Sequence, residues 1–318
     1  MLSMNGYDQV KAYCAEAGIR FVCDEPMKNH TSFRIGGAVP LFIAPKSVEE
    51  LSALLPILRQ NVSYFFLGKG SNLLIDDEGV DAAAVFLGKD LAQCRVEDGL
   101  LICEAGAPLA KACYTAYRNG LSGLEFGWGI PGSVGGAAYM NAGAYGGEMK
   151  DVVVYCEHLD ENGKLYRVPA QELQYSYRRS FYTGKPLCIV RVAMKLNPKN
   201  REEIHARMDE LMARRKSKQP LEYPSGGSTF KRPEGAYAAA LIEQCGLKGL
   251  SVGGAMVSTK HSGFLINFKD ATCKDMLELI EKVKAEVKRQ TGFGLECEVM
   301  QLKADGDAVR AVPAGCGK

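Results

Sequence analysis

Surplus charge is what this sequence has least of. Lys and Arg number 39 against 37 Asp and Glu, a formal balance of +2, and no long basic stretch is interleaved with aromatics. The electrostatic footprint of a nucleic-acid binder is therefore missing. The eleven cysteines are an odd number, scattered from Cys14 to Cys316 with no CxxC and no Cys/His ligand spacing. That pattern argues against a disulfide framework or a zinc site and for reduced thiols in a cytosolic protein. No apolar run reaches about 18 residues, and the first residues lack the cationic start, apolar stretch and small-residue cleavage site of an export signal. Neither membrane insertion nor export is expected.

What is present suits two or three compact units: 318 residues and 34.5 kDa, 47% hydrophobic and 24% charged, with 35 glycines. A short helix is expected over 7–17 and a better one over 47–60. There Ser47 and Glu50 read as a capping box, Val48, Leu51, Leu54, Leu55 and Leu58 form one apolar face, and Pro56 weakens the last turn. Strand-like runs follow at 62–67, 82–87, 100–105, 152–158 and 187–196, with a hairpin turn over 160–163. Pro198, Lys199 and Asn200 break that pattern. A helix over 201–216, with Ile204, Met208, Leu211 and Met212 on one face, opens a second unit, so the boundary is expected near residue 200. The second unit should contain a strand over 264–268, a helix over 273–289 capped by Thr272 and a strand over 295–302. A flexible tail is expected over 304–318.

Two glycine-rich stretches carry the first chemical signal. Gly68, Lys69, Gly70, Ser71 and Asn72 directly follow the strand-like run ending at Leu67. Glycine admits positive φ and close approach of backbone to a ligand, while successive N–H groups and the Ser71 and Asn72 side chains can donate to pyrophosphate oxygens. The spacing is not that of a Walker loop. The second stretch, 127–147, contains a GxGxxG at Gly127, Gly129 and Gly132, with Asp151 about 20 residues further on. A Rossmann turn is rejected: 121–126 is a poor buried strand, Pro131 sits inside the turn, and further glycines fall where a clean helix should run. The stretch reads instead as an extended glycine-lined wall for a flat cofactor and its phosphates. Either stretch alone is equally a tightly packed turn, but two in one domain point to a dinucleotide.

The order of motifs is also familiar. His30-Thr-Ser-Phe-Arg-Ile-Gly-Gly37, then Gly68 to Asn72, then Gly129-Ile-Pro-Gly-Ser-Val-Gly-Gly136 leading to Asn141, Ala142 and Gly143, resemble the UDP-N-acetylenolpyruvoylglucosamine reductase family. The likeness continues through Tyr177-Arg-Arg-Ser180, Gly227-Ser-Thr-Phe-Lys-Arg-Pro233 and Leu295-Glu-Cys-Glu-Val299, so matched motifs cover nearly the whole chain. The resemblance implies an α+β fold: a two-lobed FAD-binding unit of the vanillyl-alcohol oxidase type over 1–200, with lobes of roughly 1–88 and 89–200, then an α+β substrate domain over 201–303 whose last strand reaches the active site. It implies non-covalent FAD held by Thr31, Gly68, Lys69, Gly70, Ser71, Asn72, Gly129, Ile130, Pro131, Gly132, Ser133, Gly135, Gly136, Asn141, Ala142 and Gly143.

The implied reaction is NADPH-dependent reduction of UDP-N-acetylglucosamine enolpyruvate to UDP-N-acetylmuramate in the cytoplasm, for peptidoglycan precursor synthesis, with no obligate protein partner and no metal. Hydride addition at the enolpyruvyl methylene drives negative charge toward the carboxylate, which an arginine can hold through paired donors. The family motif selects Arg178, while the residues alone leave Arg179 open. It also assigns Ser228 as proton donor to the adjacent carbon. In the last strand, alternation puts Glu296 and Glu298 on one face, and the family pattern selects Glu298, with a raised pKa expected if it is buried. Lys218 and Lys231 are the candidate cations for the UDP diphosphate. Arg232 departs from the family, standing where many relatives carry Asn, and the short path through 197–225 resembles the subclass without an extra tyrosine-bearing loop. Something else must then close the site, and Lys260, His261, Ser262 and Asn267 lie in a segment that could contribute, with His261 equally a solvated or packed histidine and left unassigned. Two rival readings are a flavin oxidase with its cofactor tied through His30 and a nucleotide-binding protein without catalysis.

Overall fold

Helices and strands mix along the whole chain, the α+β content expected, in a computed structural model that describes residues 5–305 and 308–315. By compactness the backbone forms two units, each discontinuous in sequence. The first takes the described residues up to Cys23 with Leu41–Lys69 and Ala82–Arg215. The second takes Asp24–Pro40, Gly70–Asp81 and the described residues from Lys216. The division therefore falls within the helix Arg201–Lys218 and not near residue 200. The cause is packing: Ile204 and Met208 on that helix join the apolar core of the first unit.

In the first unit, Ala83–Phe86 pairs in parallel with both Leu41–Ile43 and Tyr64–Leu67. A strand covered on both faces reads as an unbroken apolar run, which Ala83 to Phe86 is. The helix Val48–Asn61 covers this core with Val48, Leu51, Leu54, Leu55 and Leu58 all buried. Burial of those five side chains stabilises the unit by on the order of 10 kcal/mol before entropy is counted. Ser47 Oγ accepts the Glu50 N–H at 3.1 Å, but the Glu50 carboxylate accepts from Lys46 N–H, one residue before the position a capping box requires. Pro56 lies inside the helix without ending it. A second, antiparallel sheet runs in the order Leu165–Pro169, Val153–Leu159, Cys188–Met194, Leu100–Glu104, Cys94–Glu97. Its first hairpin turns where expected. Asp160 Oδ1 accepts the N–H groups of Asn162 and Lys164, and Gly163 takes φ +79°.

The second unit is built on the helix Cys273–Thr291. Thr272 and Asp275 close a full capping box at its start, and Gly292 ends it in the left-handed conformation at φ +77°. Asp77 explains why 70–81 folds here: its carboxylate accepts the first N–H groups, from Cys273 at 2.7 Å and Lys274 at 3.1 Å. Met276, Leu279, Ile280, Val283 and Val287 form the buried face of the helix, in one core with Ala255, Val257 and Leu265 of a three-stranded sheet.

The C-terminal expectations need correction. The strand begins at Met300, where 295–302 was expected, and Met300–Asp305 pairs antiparallel with Ala308–Pro313, where a flexible tail was expected. The second strand is apolar at every position but Arg310, and Ala314 beyond it is buried with its N–H on Val299 O. Residues 306–307 and 316–318, part of that expected tail, lie outside the described residues.

Glu157 gives the first unit a testable acid dependence. Burial pushes its pKa up, and the guanidinium groups of Arg167 at 2.7 Å and Arg191 at 2.9 Å outweigh that, holding the carboxyl below its usual range. A carboxyl with a depressed folded-state pKa contributes stability above its unfolded value, roughly pH 4, that is lost as pH falls through the folded value. Glu157→Gln should lower the urea midpoint at neutral pH and flatten its decline on acidification; parallel pH profiles for the two proteins would contradict this.

Candidate cofactor and catalytic site

Gly68 meets the second glycine stretch within the first unit. A Cβ built on Gly68, just past the strand Tyr64–Leu67, would lie 2.3 Å from Ser133 Oγ. Gly129 takes φ +81° against Met212 and Arg215, and the Gly132 carbonyl accepts the Leu109 N–H at 3.0 Å. Beyond that the expected extended wall is wrong, because Ser133 starts a helix over Val134–Tyr139 by accepting the Gly136 N–H. Gly135 lies inside it, pressed on Ala105, where a Cβ would come within 2.7 Å of the alanine methyl. Gly143 pairs with Glu148 across a tight turn, and the Ala142 N–H bonds Ala137 O. Asn141 is fully buried, and its amide donates to Glu148 and Ser176 O while its Oδ1 accepts from Lys150 N–H. Its side chain thus braces the turn.

Arg178 belongs to this unit. It sits in a tight turn closed by mutual backbone bonds between Ser176 and Arg179, at φ +57°, over the Tyr177 ring at 5.0 Å. A non-glycine residue held at positive φ is uncommon and marks a constrained position. Arg178 is half-buried and Arg179 exposed. Arg215, which sequence reasoning gave no role, is 5% exposed, beside Gly129 and 5.2 Å from the Tyr145 ring. Burial lowers its pKa. The signal was there: Ile204, Met208, Leu211 and Arg215 repeat at the helical spacing of one face.

In the second unit, Thr31 donates its hydroxyl to Ile35 O, and Gly70 at φ +57° lies so close to His30 that a Cβ would fall 2.1 Å from its carbonyl oxygen. Asn72 Nδ2 donates to Glu298 O, and Asn72 O accepts the Met300 N–H. Ser228 follows Gly227, at φ +79°, and is exposed. Next to it, fully buried Thr229 accepts the Glu298 N–H on its carbonyl at 2.8 Å. The fold therefore sets the Ser228 and Glu298 segments side by side. Burial alternates through 295–299 as expected, with Glu296 exposed and Glu298 half-buried, and Cys297 forms an isolated bridge to Phe230. Lys231 pairs with Glu296, whereas exposed Lys218 forms no ion pair among the described residues. His261 has a lowered pKa, through burial first and the Lys248 and Lys218 charges after it. Ser262 and Asn267 are braces, donating to Ala239 O and Phe33 O, and exposed Arg232 lies over the Tyr237 ring.

The first unit suits an anionic dinucleotide: residues 68–69 and 129–136 contain no acidic side chain, Gly129 and Gly132 hold positive φ, and exposed Lys69 forms no ion pair among the described residues. Among those residues no group of three or more His, Cys, Asp or Glu could hold a metal ion, and no helix is long and apolar enough to cross a membrane.

Comparison with known proteins agrees. Residues 39–169 match the family profile described as FAD binding domain, and 219–302 match that described as UDP-N-acetylenolpyruvoylglucosamine reductase, C-terminal domain. The chain is 45% identical over 281 residues to the UDP-N-acetylenolpyruvoylglucosamine reductase of Syntrophomonas wolfei, covering 88% of this chain and 94% of that one. It is 47% identical to the protein of the same name from Caldanaerobacter subterraneus, covering 92% and 96%. Among solved structures, UDP-N-acetylenolpyruvylglucosamine reductase from Thermus caldophilus superposes with a TM-score of 0.76 at 35% identity, covering 89% of this chain and 98% of the other.

The approach of Gly68 to Ser133 predicts a rescue. Gly68→Ala should lower the thermal midpoint and weaken flavin retention on gel filtration, and adding Ser133→Ala, which removes the clashing oxygen, should restore part of both. Additive losses in the double variant would contradict the contact.

Proposed function

The chain belongs to the UDP-N-acetylenolpyruvoylglucosamine reductase family, and on that premise we propose how its own residues serve the family reaction. It is an FAD-dependent oxidoreductase that reduces UDP-N-acetylglucosamine enolpyruvate to UDP-N-acetylmuramate with NADPH, in peptidoglycan precursor synthesis. Bound FAD supplies the hydride relay, accepting from NADPH and delivering to the methylene carbon of the enolpyruvyl group. The proposed compartment is the cytoplasm, a reading supported by the ten described cysteines, all free thiols.

The observation that carries the residue assignment is the bond from Glu298 N–H to Thr229 O, which places two residues distant in sequence beside each other. Ser228 Oγ donates its proton to the carbon next to the carboxylate, and the Glu298 carboxyl returns one to Ser228 Oγ. A serine is a weak acid, but the carbon it protonates is strongly basic once hydride has added. The Arg178 guanidinium meets the negative charge on the substrate carboxylate; its constrained backbone and partial burial favour it over exposed Arg179. The backbone of 68–69 and 129–133 would hold the pyrophosphate of FAD, with Lys69 as counter-charge. Lys218 is the better candidate for the UDP diphosphate, since Glu296 already compensates Lys231.

The two half-reactions separate these roles. Ser228→Ala should leave flavin bleaching by NADPH intact and slow flavin recovery on addition of the enolpyruvyl substrate by about 10²- to 10⁴-fold. Arg178→Lys should slow the same step, because a point charge does not reproduce a bidentate clamp. Arg179→Lys should stay within about twofold of the parent. A larger loss in Arg179→Lys than in Arg178→Lys would move the role to Arg179.

A further inference from the structure

Cys94 and Cys103 stand directly opposite each other on the antiparallel strands Cys94–Glu97 and Leu100–Glu104. The register is fixed by the two-residue turn between them, Asp98 at φ +50° and Gly99 at φ +73°, the signature of a type I′ hairpin. Opposed pairs in an antiparallel ladder alternate between hydrogen-bonded and non-bonded. The Glu104 N–H donates to Gln93 O at 2.8 Å, so Gln93 and Glu104 are a bonded pair and the next, Cys94 and Cys103, is not. Non-bonded pairs bring their Cα atoms to about 4.5 Å, inside the span of about 4.4–6.8 Å that a disulfide bridges. Both side chains leave the same face of the sheet.

The surroundings distinguish the two sulfurs. Cys103 is buried in the core, whereas Cys94 is half-buried on the edge strand and open to a small oxidant. A hydrogen bond from the Cys103 thiol holds the Cys94 thiol below its usual range against the opposing push of burial, and the Lys111 ammonium adds to it. The Cys103 thiol is pushed up, first by that same bond and then by burial. Lys111 is anchored by donating to Ala92 O at 2.7 Å. Nearby Cys113 is engaged elsewhere, its thiol donating to Leu124 O.

We propose that Cys94 and Cys103 form an oxidative modification site, which hydrogen peroxide converts to a cross-strand disulfide. Cys94 thiolate attacks one peroxide oxygen, the O–O bond breaks, and sulfenic acid and hydroxide form. Cys103 sulfur then attacks the Cys94 sulfur, the S–O bond breaks, and the departing hydroxyl takes the Cys103 proton as water. Two thiol groups lose two electrons in all, and one peroxide is reduced.

The test treats holoenzyme with hydrogen peroxide, blocks remaining thiols with iodoacetamide and maps the peptides by mass spectrometry. Two of the eleven thiols should disappear into one peptide linking Cys94 to Cys103, and dithiothreitol should restore them. In Cys103→Ser the Cys94 sulfenic acid should persist and react with dimedone, while in Cys94→Ser position 103 should stay fully alkylatable. Equal alkylation of Cys103 before and after oxidation of the parent protein, or oxidation confined to exposed Cys23, would overturn the proposal. The parent readout stands whether or not the variants fold, and it does not depend on the reductase activity.

Discussion

Every polar atom of Thr229 is bonded to another segment of the second unit. Its N–H donates to Gly263 O, its hydroxyl accepts the Leu265 N–H, and its carbonyl accepts the N–H of Glu298. The residue has no solvent exposure, so breaking any one of these bonds leaves a buried polar group unsatisfied, a loss of about 1–3 kcal/mol. This side chain touches no substrate in the account given, yet the positions of Ser228 on one side and the Glu298 segment on the other both follow from it. Asn72 continues the same arrangement: its amide bonds Glu298 O and its carbonyl receives the Met300 N–H, so the end of the glycine stretch is tied to the start of the strand Met300–Asp305.

In the first unit the corresponding constraint is the room that glycine leaves. Gly68 admits Ser133, Gly129 admits the side chain of Arg215, and Gly135 admits Ala105. Each glycine is therefore required by the protein's own packing, and the acid-free backbone that results suits phosphate. The packing reading and the cofactor reading of these stretches are not alternatives; close approach of protein elements leaves acid-free backbone of the kind that suits phosphate.

What was legible in the sequence follows from how local each signal is. The helix over Val48–Asn61 announces itself through Ser47 and five apolar positions, and the helix over Cys273–Thr291 through Thr272, because caps and periodicity act within one turn. The helix at Val134–Tyr139 was missed because glycines hide its propensity, while the Ser133 cap that starts it has a capping role visible only in the backbone. The unit boundary was missed because Asp77 and Ile204 act through partners distant in sequence. Among site residues, motif order singled out Arg178, Ser228 and Glu298, but chemistry alone separated neither Arg178 from Arg179 nor Glu298 from Glu296. In the fold they differ in burial, Arg178 and Glu298 being half-buried and Arg179 and Glu296 exposed. Asn141 and Lys231 show the converse, as polar residues read toward a ligand that bond to Glu148 and Glu296.

The central claim is that one bound flavin passes hydride from NADPH to an enolpyruvyl UDP-sugar. Anaerobic flavin absorbance of the purified holoenzyme tests it most directly, with NADPH added first and UDP-N-acetylglucosamine enolpyruvate second. The account predicts bleaching by NADPH, then stoichiometric recovery of the oxidised spectrum with formation of UDP-N-acetylmuramate. Bleaching with no recovery on addition of the sugar nucleotide would contradict it.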